Sequence, residues 1–293
     1  AEADLVIGTV LIPGAAAPEA MHQALGKVKG KLLVGMINSL GNRRLAAAVG
    51  DLTRLPADSD PAVAQAAAVA LGKIGPAGCP ALEQALDKAP APVRPAVAQA
   101  LLLCAEAFVA QGKCPEAVAL YDRLAKTDVK AVRIAAARGA VLARQAAGIP
   151  ILLEQIKGSD PDLFRAALVL VREMPAAEVA TALAGEVANL PAAKQVLIVE
   201  ALADRGDRVA TPAVLALTAK GDANVRVAAI RALTRLGNAS AVPSLVALAI
   251  GGEAGVAQAA VGSLATLAGK DVDAAIQAVL DTPDAKARRV AID

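Results

Sequence analysis

The chain has 293 residues, with 30 Lys and Arg and 28 Asp and Glu, which give a formal charge of +2. This charge is too small to support a general role in binding polyanions or membrane surfaces. The longest apolar run, residues 5–17, has about 13 residues, fewer than the ~18–20 that span a bilayer. Hydrophobic residues make up 56% and aromatic residues 1%, so we expect an aliphatic, alanine-rich interior. We predict a soluble protein, cytoplasmic or periplasmic.

The N-terminal 30 residues carry the least regular pattern, and we interpret residues 2–12 and 18–30 as the remnant of a helix pair. The only histidine, His22, lies there without a Cys, His or acidic cluster at a ligand spacing, so we expect it to hold no metal. The helices predicted next cover residues 31–40, 45–55, 60–75, 79–88 and 92 onward.

An enlarged repeat is predicted over about residues 93–131. The chain has a repeating pattern of about 31 residues, and the interval from Val93 to Val132 is eight residues longer, which is about two helical turns. Its part at residues 112–127 resembles a tetratricopeptide helix. Phe108 and Tyr121, two of the three aromatic residues, lie in this repeat. Either they fill the larger gap between longer helices, or they form a landmark for a binding partner.

Residues 222–237 (DANVRVAAIRALTRLG) show the repeating pattern most clearly. From Val225, apolar residues follow at three, four, seven, eight and eleven positions, which is one stripe of a helix. Asp222 is expected to cap the start of this helix, and Gly237 to leave it through a left-handed turn. The positions equivalent to Val225, mostly 31 residues apart, are Leu32, Val63, Val93, Val132, Leu163, Lys194, Val256 and Ala287.

Two further features accompany this register. We call Val225 and its equivalent positions the references. The residues three and four positions after each reference are mostly small, which lets helix axes approach closely. A proline precedes four references by 13 residues, where it suits the first turn of a preceding helix. These prolines are Pro80, Pro150, Pro212 and Pro243.

The pattern of residues 222–237, its partial copies at 60–75 and 132–140, and the first-helix proline resemble HEAT repeats, and the 31-residue period is closest to the short subtype of phycobilisome lyases. The resemblance implies an all-α, right-handed α-solenoid of about nine helix pairs, with incomplete terminal pairs, forming one domain over residues 1–293. It also implies partner binding by a curved scaffold, in a family with only a few enzymes.

Candidate partner-binding residues follow from positions two, six and nine after each reference, which point away from the core and are expected to line the concave face. They include Arg138, Arg165, Arg172, Glu200 and Arg231. Arginine suits bidentate contacts with carboxylates, so these positions favour a protein or peptide partner, acidic rather than neutral, over a nucleic acid. The alternative is an ordinary solvated face with i,i+4 pairs worth ~0.2–0.5 kcal/mol each.

No catalytic motif, cofactor or metal site is predicted. The three cysteines are expected to be small buried thiols, with Cys104 and Cys114 able to approach each other across a helix turn. The sequence thus predicts a non-enzymatic interaction scaffold of undetermined oligomeric state. The alternatives are the scaffold region of a larger enzyme, because both chain ends fall inside repeats, or a lyase-type accessory protein.

Overall fold

The computed structural model describes residues 23–292, and every regular element in that range is helical. The chain divides into two compact units, Ala1–Arg144 and Gln145–Asp293, which are described separately. His22, residues 5–17 and most of the predicted N-terminal remnant lie outside the described residues. The all-α fold class of stacked helix pairs is confirmed, and the single domain over residues 1–293 stays a prediction.

Unit 1 alternates a shorter first helix with a longer second helix. Its helices are α1 (Gly30–Asn42), α2 (Val49–Leu52), α3 (Pro61–Ile74), α4 (Cys79–Leu86), α5 (Arg94–Ala110), α6 (Cys114–Leu124) and α7 (Lys130–Arg144). Short 3-10 turns lie at Leu25–Lys27, Ala46–Ala48, Leu55–Ala57 and Pro76–Gly78. The second helices α1, α3, α5 and α7 pack side by side in that order, and α4 and α6 each pack against α5.

The helices within the predicted enlarged repeat are longer than the preceding ones in unit 1. Helix α5 has 17 residues where α3 has 14, and α6 has 11 where α4 has 8. Tyr121 of α6 is only 4% exposed, and a Cβ added to Gly139 of α7 would collide with its ring. The tyrosine therefore fills the gap between α6 and α7, as the first of the two interpretations expects.

Unit 2 continues the same alternation. Its helices are α8 (Ile149–Lys157), α9 (Pro161–Glu173), α10 (Glu178–Glu186), α11 (Ala192–Arg205), α12 (Thr211–Leu217), α13 (Ala223–Leu236), α14 (Val242–Gly251), α15 (Ala254–Thr266), α16 (Lys270–Leu280) and α17 (Ala285–Ile292). Its 3-10 turns are Gln145–Gly148, Val187–Asn189, Arg208–Ala210 and Ala239–Ala241. The second helices α9, α11, α13 and α15 pack in series, whereas α17 packs mainly on α14 and α16.

The core follows the predicted register. The alanine four positions after the reference is 0% exposed in each of five repeats, so these short side chains set how closely the helices approach. They are Ala67, Ala136, Ala167, Ala229 and Ala260. The four predicted prolines each occupy the second position of a first helix, α4, α8, α12 or α14, where a missing amide costs little.

The helix starting at Ala223 is capped as predicted, but its end differs. The Asp222 carboxylate accepts hydrogen bonds from the amides of Asn224 (2.8 Å) and Val225 (3.4 Å). The left-handed turn at Gly237 is wrong, because this residue is extended, with φ −69° and ψ 161°. A Cβ there would meet the Leu233 carbonyl and come within 2.9 Å of Leu267, so glycine is needed for space.

Several first helices are short, since α2 has 4 residues and α12 has 7. A 3-10 turn replaces the first turn in both cases. At the end of α12 the Thr218 hydroxyl donates to the Leu215 carbonyl (2.8 Å) and so competes with the continuing helix.

The predicted approach of Cys104 to Cys114 is replaced by a different contact. All three cysteines are free thiols, and the Cys104 thiol donates to the Gly75 carbonyl at 3.4 Å. A hydrogen bond with Cys79 and burial together raise the pKa of Cys104, so this thiol stays protonated at neutral pH. Cys79 and Cys104 are buried as predicted, whereas Cys114 is partly exposed.

Candidate interaction groove

The five predicted site residues are divided between the units. Arg138 lies on α7 in unit 1, and the other four lie on α9, α11 and α13 in unit 2. All five are exposed. Position nine, which Arg172 occupies, is nevertheless buried at Gly41, Gly72, Leu102, Val141 and Ala203 in other repeats, so it does not generally point away from the core. In unit 2, neighbouring second helices bring two of the predicted residues into one groove.

A groove of about 570 Å³ lies between α11 and α13. Its apolar part includes Val196 and Ala203 from α11, and Val227 and Ala228 from α13. Val196, Val227 and Ala228 are half-buried and Ala203 is buried, and these short side chains leave room between the two helices. Glu200 and Arg231 line the same groove, so the structure brings these two predicted residues together.

One ion-pair network forms at the edge of the groove, and we call Asp204 with Arg235 the closed pair. The Asp204 carboxylate accepts hydrogen bonds from Arg172 Nε (2.9 Å) and from Arg235 Nη1 (2.8 Å). The hydrogen bond from Arg172, reinforced by Arg235, holds the pKa of Asp204 below its ordinary value. The predicted residue Arg172 is thus partly neutralised at the groove edge.

We call Glu200 with Arg231 the open pair. Each lies four residues before its counterpart in the closed pair, and 31 residues separate the two partners in both pairs. Neither side chain of the open pair makes a hydrogen bond or ion pair with any part of residues 23–292. A carboxylate and a guanidinium therefore face solvent across the same groove.

Arg165 lies outside the groove. Its side chain is 72% exposed and forms a 3.5 Å ion pair with Asp162 in the first turn of its own helix, α9. This pair resembles the solvated-face alternative, in which i,i+4 or i,i+3 pairs contribute little.

The aromatic residues of the enlarged repeat are not part of the groove. Phe108 is half-buried, with Lys113 Nζ 5.9 Å from its ring centroid. Burial raises the pKa of Tyr121, in keeping with its place in the core. Neither ring lines the groove in unit 2.

The closed pair is not among the site residues predicted from the sequence. Asp204 and Arg235 both lie ten positions after a reference, outside the positions two, six and nine that are expected to face a partner. The sequence does contain a signal for them, because the step from Glu200 to Arg231 recurs from Asp204 to Arg235.

Residues 23–292 contain no group of three His, Cys, Asp or Glu side chains placed to hold a metal ion. Nor do they contain a helix with the length and apolar character that crossing a bilayer requires.

Solved structures resemble the chain over most of its length. The karyopherin Kap121p, bound to the extreme C-terminus of the protein phosphatase Cdc14p, has 11% identity and a TM-score of 0.55, over 96% of this chain and 38% of that one. At this identity the likeness shows the fold alone.

Two further similarities have TM-scores below 0.5 and carry no argument about this chain. Human deoxyhypusine hydroxylase has 18% identity and a TM-score of 0.38, over 85% of this chain and 95% of that one. The CpcE and CpcF complex of phycocyanin lyase from Nostoc sp. PCC7120 has 20% identity and a TM-score of 0.35, over 76% of this chain and 83% of that one.

No curated protein matches the chain. The sequence profile of HEAT repeats, however, matches residues 19–102, 187–265 and 211–293, which together make up more than half of the chain. The matches fall on the stacked helix pairs of both units. The chain belongs to the HEAT-repeat family.

Proposed function

We propose that the chain is an interaction scaffold, and that unit 2 binds a segment of a protein partner in the groove between α11 and α13. The observation that carries this proposal is the groove itself, about 570 Å³ in volume, with the uncompensated side chains of Glu200 and Arg231 on its walls. Charged groups held beside a short apolar surface are typical of a recognition site.

The groove walls are rigid, which favours binding with little rearrangement. Ile198 and Leu202 anchor α11, and Ala229 and Leu233 anchor α13, each with 0% exposure. A helix fixed by such packing holds its surface side chains in place, so less conformational freedom is lost when a partner binds.

The fold is compatible with this role. Kap121p, which has the same fold, is bound in its solved structure to the extreme C-terminus of a protein phosphatase. That protein shares only 11% identity with this chain, so it illustrates what stacked helices can hold without naming the partner here.

The first measurement identifies the partner protein by cross-linking it to the groove. A photoactivatable amino acid at position 227 on the groove wall would cross-link the bound protein, which is then purified for calorimetry against the unmodified chain. Arg231→Glu is expected to raise the Kd ~10-fold or more, because it replaces a charge-assisted contact with a repulsive one.

Two control variants accompany this measurement. Arg165→Glu changes an arginine outside the groove, and Arg208→Glu changes an exposed residue in the turn before α12. Both should bind within ~2-fold of the unmodified chain, a difference of under ~0.5 kcal/mol. The melting temperature of all three variants should stay unchanged. An unaltered Kd for Arg231→Glu would refute the proposed function.

A further inference from the structure

The groove carries charges of both signs, and we infer that its partner segment presents one acidic and one basic side chain to it, rather than a uniformly acidic surface. This inference rests on the proposed function and specifies the partner of the same groove. It replaces the expectation of an acidic partner that the arginines alone suggested.

The closed pair and the open pair lie on the same two helices, α11 and α13. Asp204 and Arg235 are 31 residues apart and in contact at 2.8 Å. Glu200 and Arg231 have the same sequence separation on the same two helices, yet their side chains do not bond within the described chain. The open pair therefore repeats the arrangement of the closed pair but leaves both charges available.

The charges of the two pairs cancel, since each pair has one cation and one anion. In the closed pair, Asp204 is shared by Arg172 and Arg235, so neither arginine is wholly free. In the open pair one cation and one anion remain. The groove thus lacks the strong positive field that a run of carboxylates would need.

A bound segment removes water from the charged groups of the open pair, and each of them then needs a partner. A segment with only acidic side chains would pair with Arg231. It would also bring a carboxylate close to the Glu200 carboxylate and displace the water that hydrates Glu200, with no hydrogen bond in return. Burying a charge without a partner is costly, so this arrangement is disfavoured. A segment with one acidic and one basic side chain pairs with both groups and leaves none unsatisfied.

The apolar wall adds a size requirement. Val196 and Val227 stand two positions after their references on α11 and α13 and line the same groove as the open pair. A volume of about 570 Å³ holds a few side chains rather than a whole domain. The fitting segment is short, with a small apolar residue beside its two charged ones.

The experiment is a selection of random 12-residue peptides by messenger-RNA display against the immobilised full chain. Retained peptides are expected to contain at least one acidic and one basic residue more often than the starting library. The best peptide is then measured by calorimetry, and we expect Glu200→Gln and Arg231→Gln each to raise its Kd ~10-fold.

Parallel selections on the two variants give a sharper readout. On Glu200→Gln the preference for a basic residue should disappear while the acidic preference remains, and on Arg231→Gln the reverse should hold. Arg208→Gln removes an exposed charge outside the groove and should leave both preferences unchanged. Circular dichroism must show the same helicity for all variants.

The outcomes separate the two proposals. Uniformly acidic peptides that need Arg231 but bind equally well to Glu200→Gln would overturn this inference and leave the proposed function standing. Failure to retain any peptide, or peptides indifferent to both variants, would overturn both.

Discussion

Lys194 occupies a reference position that holds an apolar residue in the other repeats. Its ammonium donates to the carbonyls of Ile156 and Gly158, each at 2.6 Å, and lies 4.7 Å from the ring centroid of Phe164. These carbonyls lie at the C-terminal end of α8, where a cation is favoured. A lysine can therefore occupy this otherwise apolar reference position, because its charge caps the C-terminal end of a neighbouring helix.

Replacing Lys194 with methionine tests this assignment. The variant keeps an unbranched apolar side chain but loses both hydrogen bonds, so we expect the free energy of unfolding to fall by ~1–3 kcal/mol, measured in urea. Lys157→Met is the matched control, because Lys157 is more exposed and forms an ion pair with Glu186 (2.9 Å). It should cost under ~1 kcal/mol. Equal losses for the two variants would contradict the capping role.

The closed pair predicts a pH dependence. Arg172 and Arg235 lower the pKa of Asp204 in the folded protein, so its contribution to stability is present above the unfolded value of ~3.9. That contribution is lost as the pH falls through the lower folded value. The stability difference between the unmodified chain and Asp204→Asn should thus be constant from pH 7 to pH 5 and shrink below about pH 4. Urea titrations at several pH values measure it, and a difference that grows on acidification would refute the assignment.

At the scale of elements, two glycines mark a recurring contact between second helices. A Cβ on Gly41 of α1 would lie 2.6 Å from the Cα of Ala70 in α3, and one on Gly72 of α3 would lie 2.8 Å from the Cα of Ala100 in α5. Gly41 and Gly72 are 31 residues apart. The repeat therefore places glycine where successive second helices approach most closely, which offsets its poor helix propensity.

Gly72→Ala is expected to destabilise the protein by ~1–3 kcal/mol, because the added methyl group meets backbone atoms that cannot rotate away. Gly35→Ala in α1 is the matched control, since nothing lies within 4 Å of its added Cβ. There alanine should stabilise the helix by up to ~1 kcal/mol. Thermal unfolding of both variants measures the effects, and a shift of the same sign for both would contradict the close approach.

The elements were largely predictable from sequence because the register recurs. Asp222 and the first-helix prolines mark helix starts through local chemistry, which sequence shows directly. The role of Gly237 depends on space beside the Leu233 carbonyl and beside Leu267, and the contact with Leu267, 30 residues away, cannot be predicted from local sequence. The partners of long side chains, such as Asp204 with Arg172, depend on how the helices align and could not be fixed before the structure.

At the scale of the whole molecule, one period organises both the core and the surface. The step of 31 residues that relates the buried alanines from Ala136 onward also places Glu200 opposite Arg231 and Asp204 beside Arg235. A single helix pair has no such groove, since its walls come from successive second helices. The binding site is therefore a product of stacking, as expected for a repeat architecture.

Stacking also predicts how a local change spreads within unit 2. In a repeat protein each pair contacts its neighbours only, so Lys194→Met should weaken protection most in α8, α9 and α11, less in α13, and least in α15. Hydrogen exchange followed by mass spectrometry measures this gradient, with Lys157→Met as the control expected to act only near α8 and α10. A uniform rise in exchange from α8 to α16 would instead show that unit 2 opens as one cooperative block, and that the nearest-neighbour description fails.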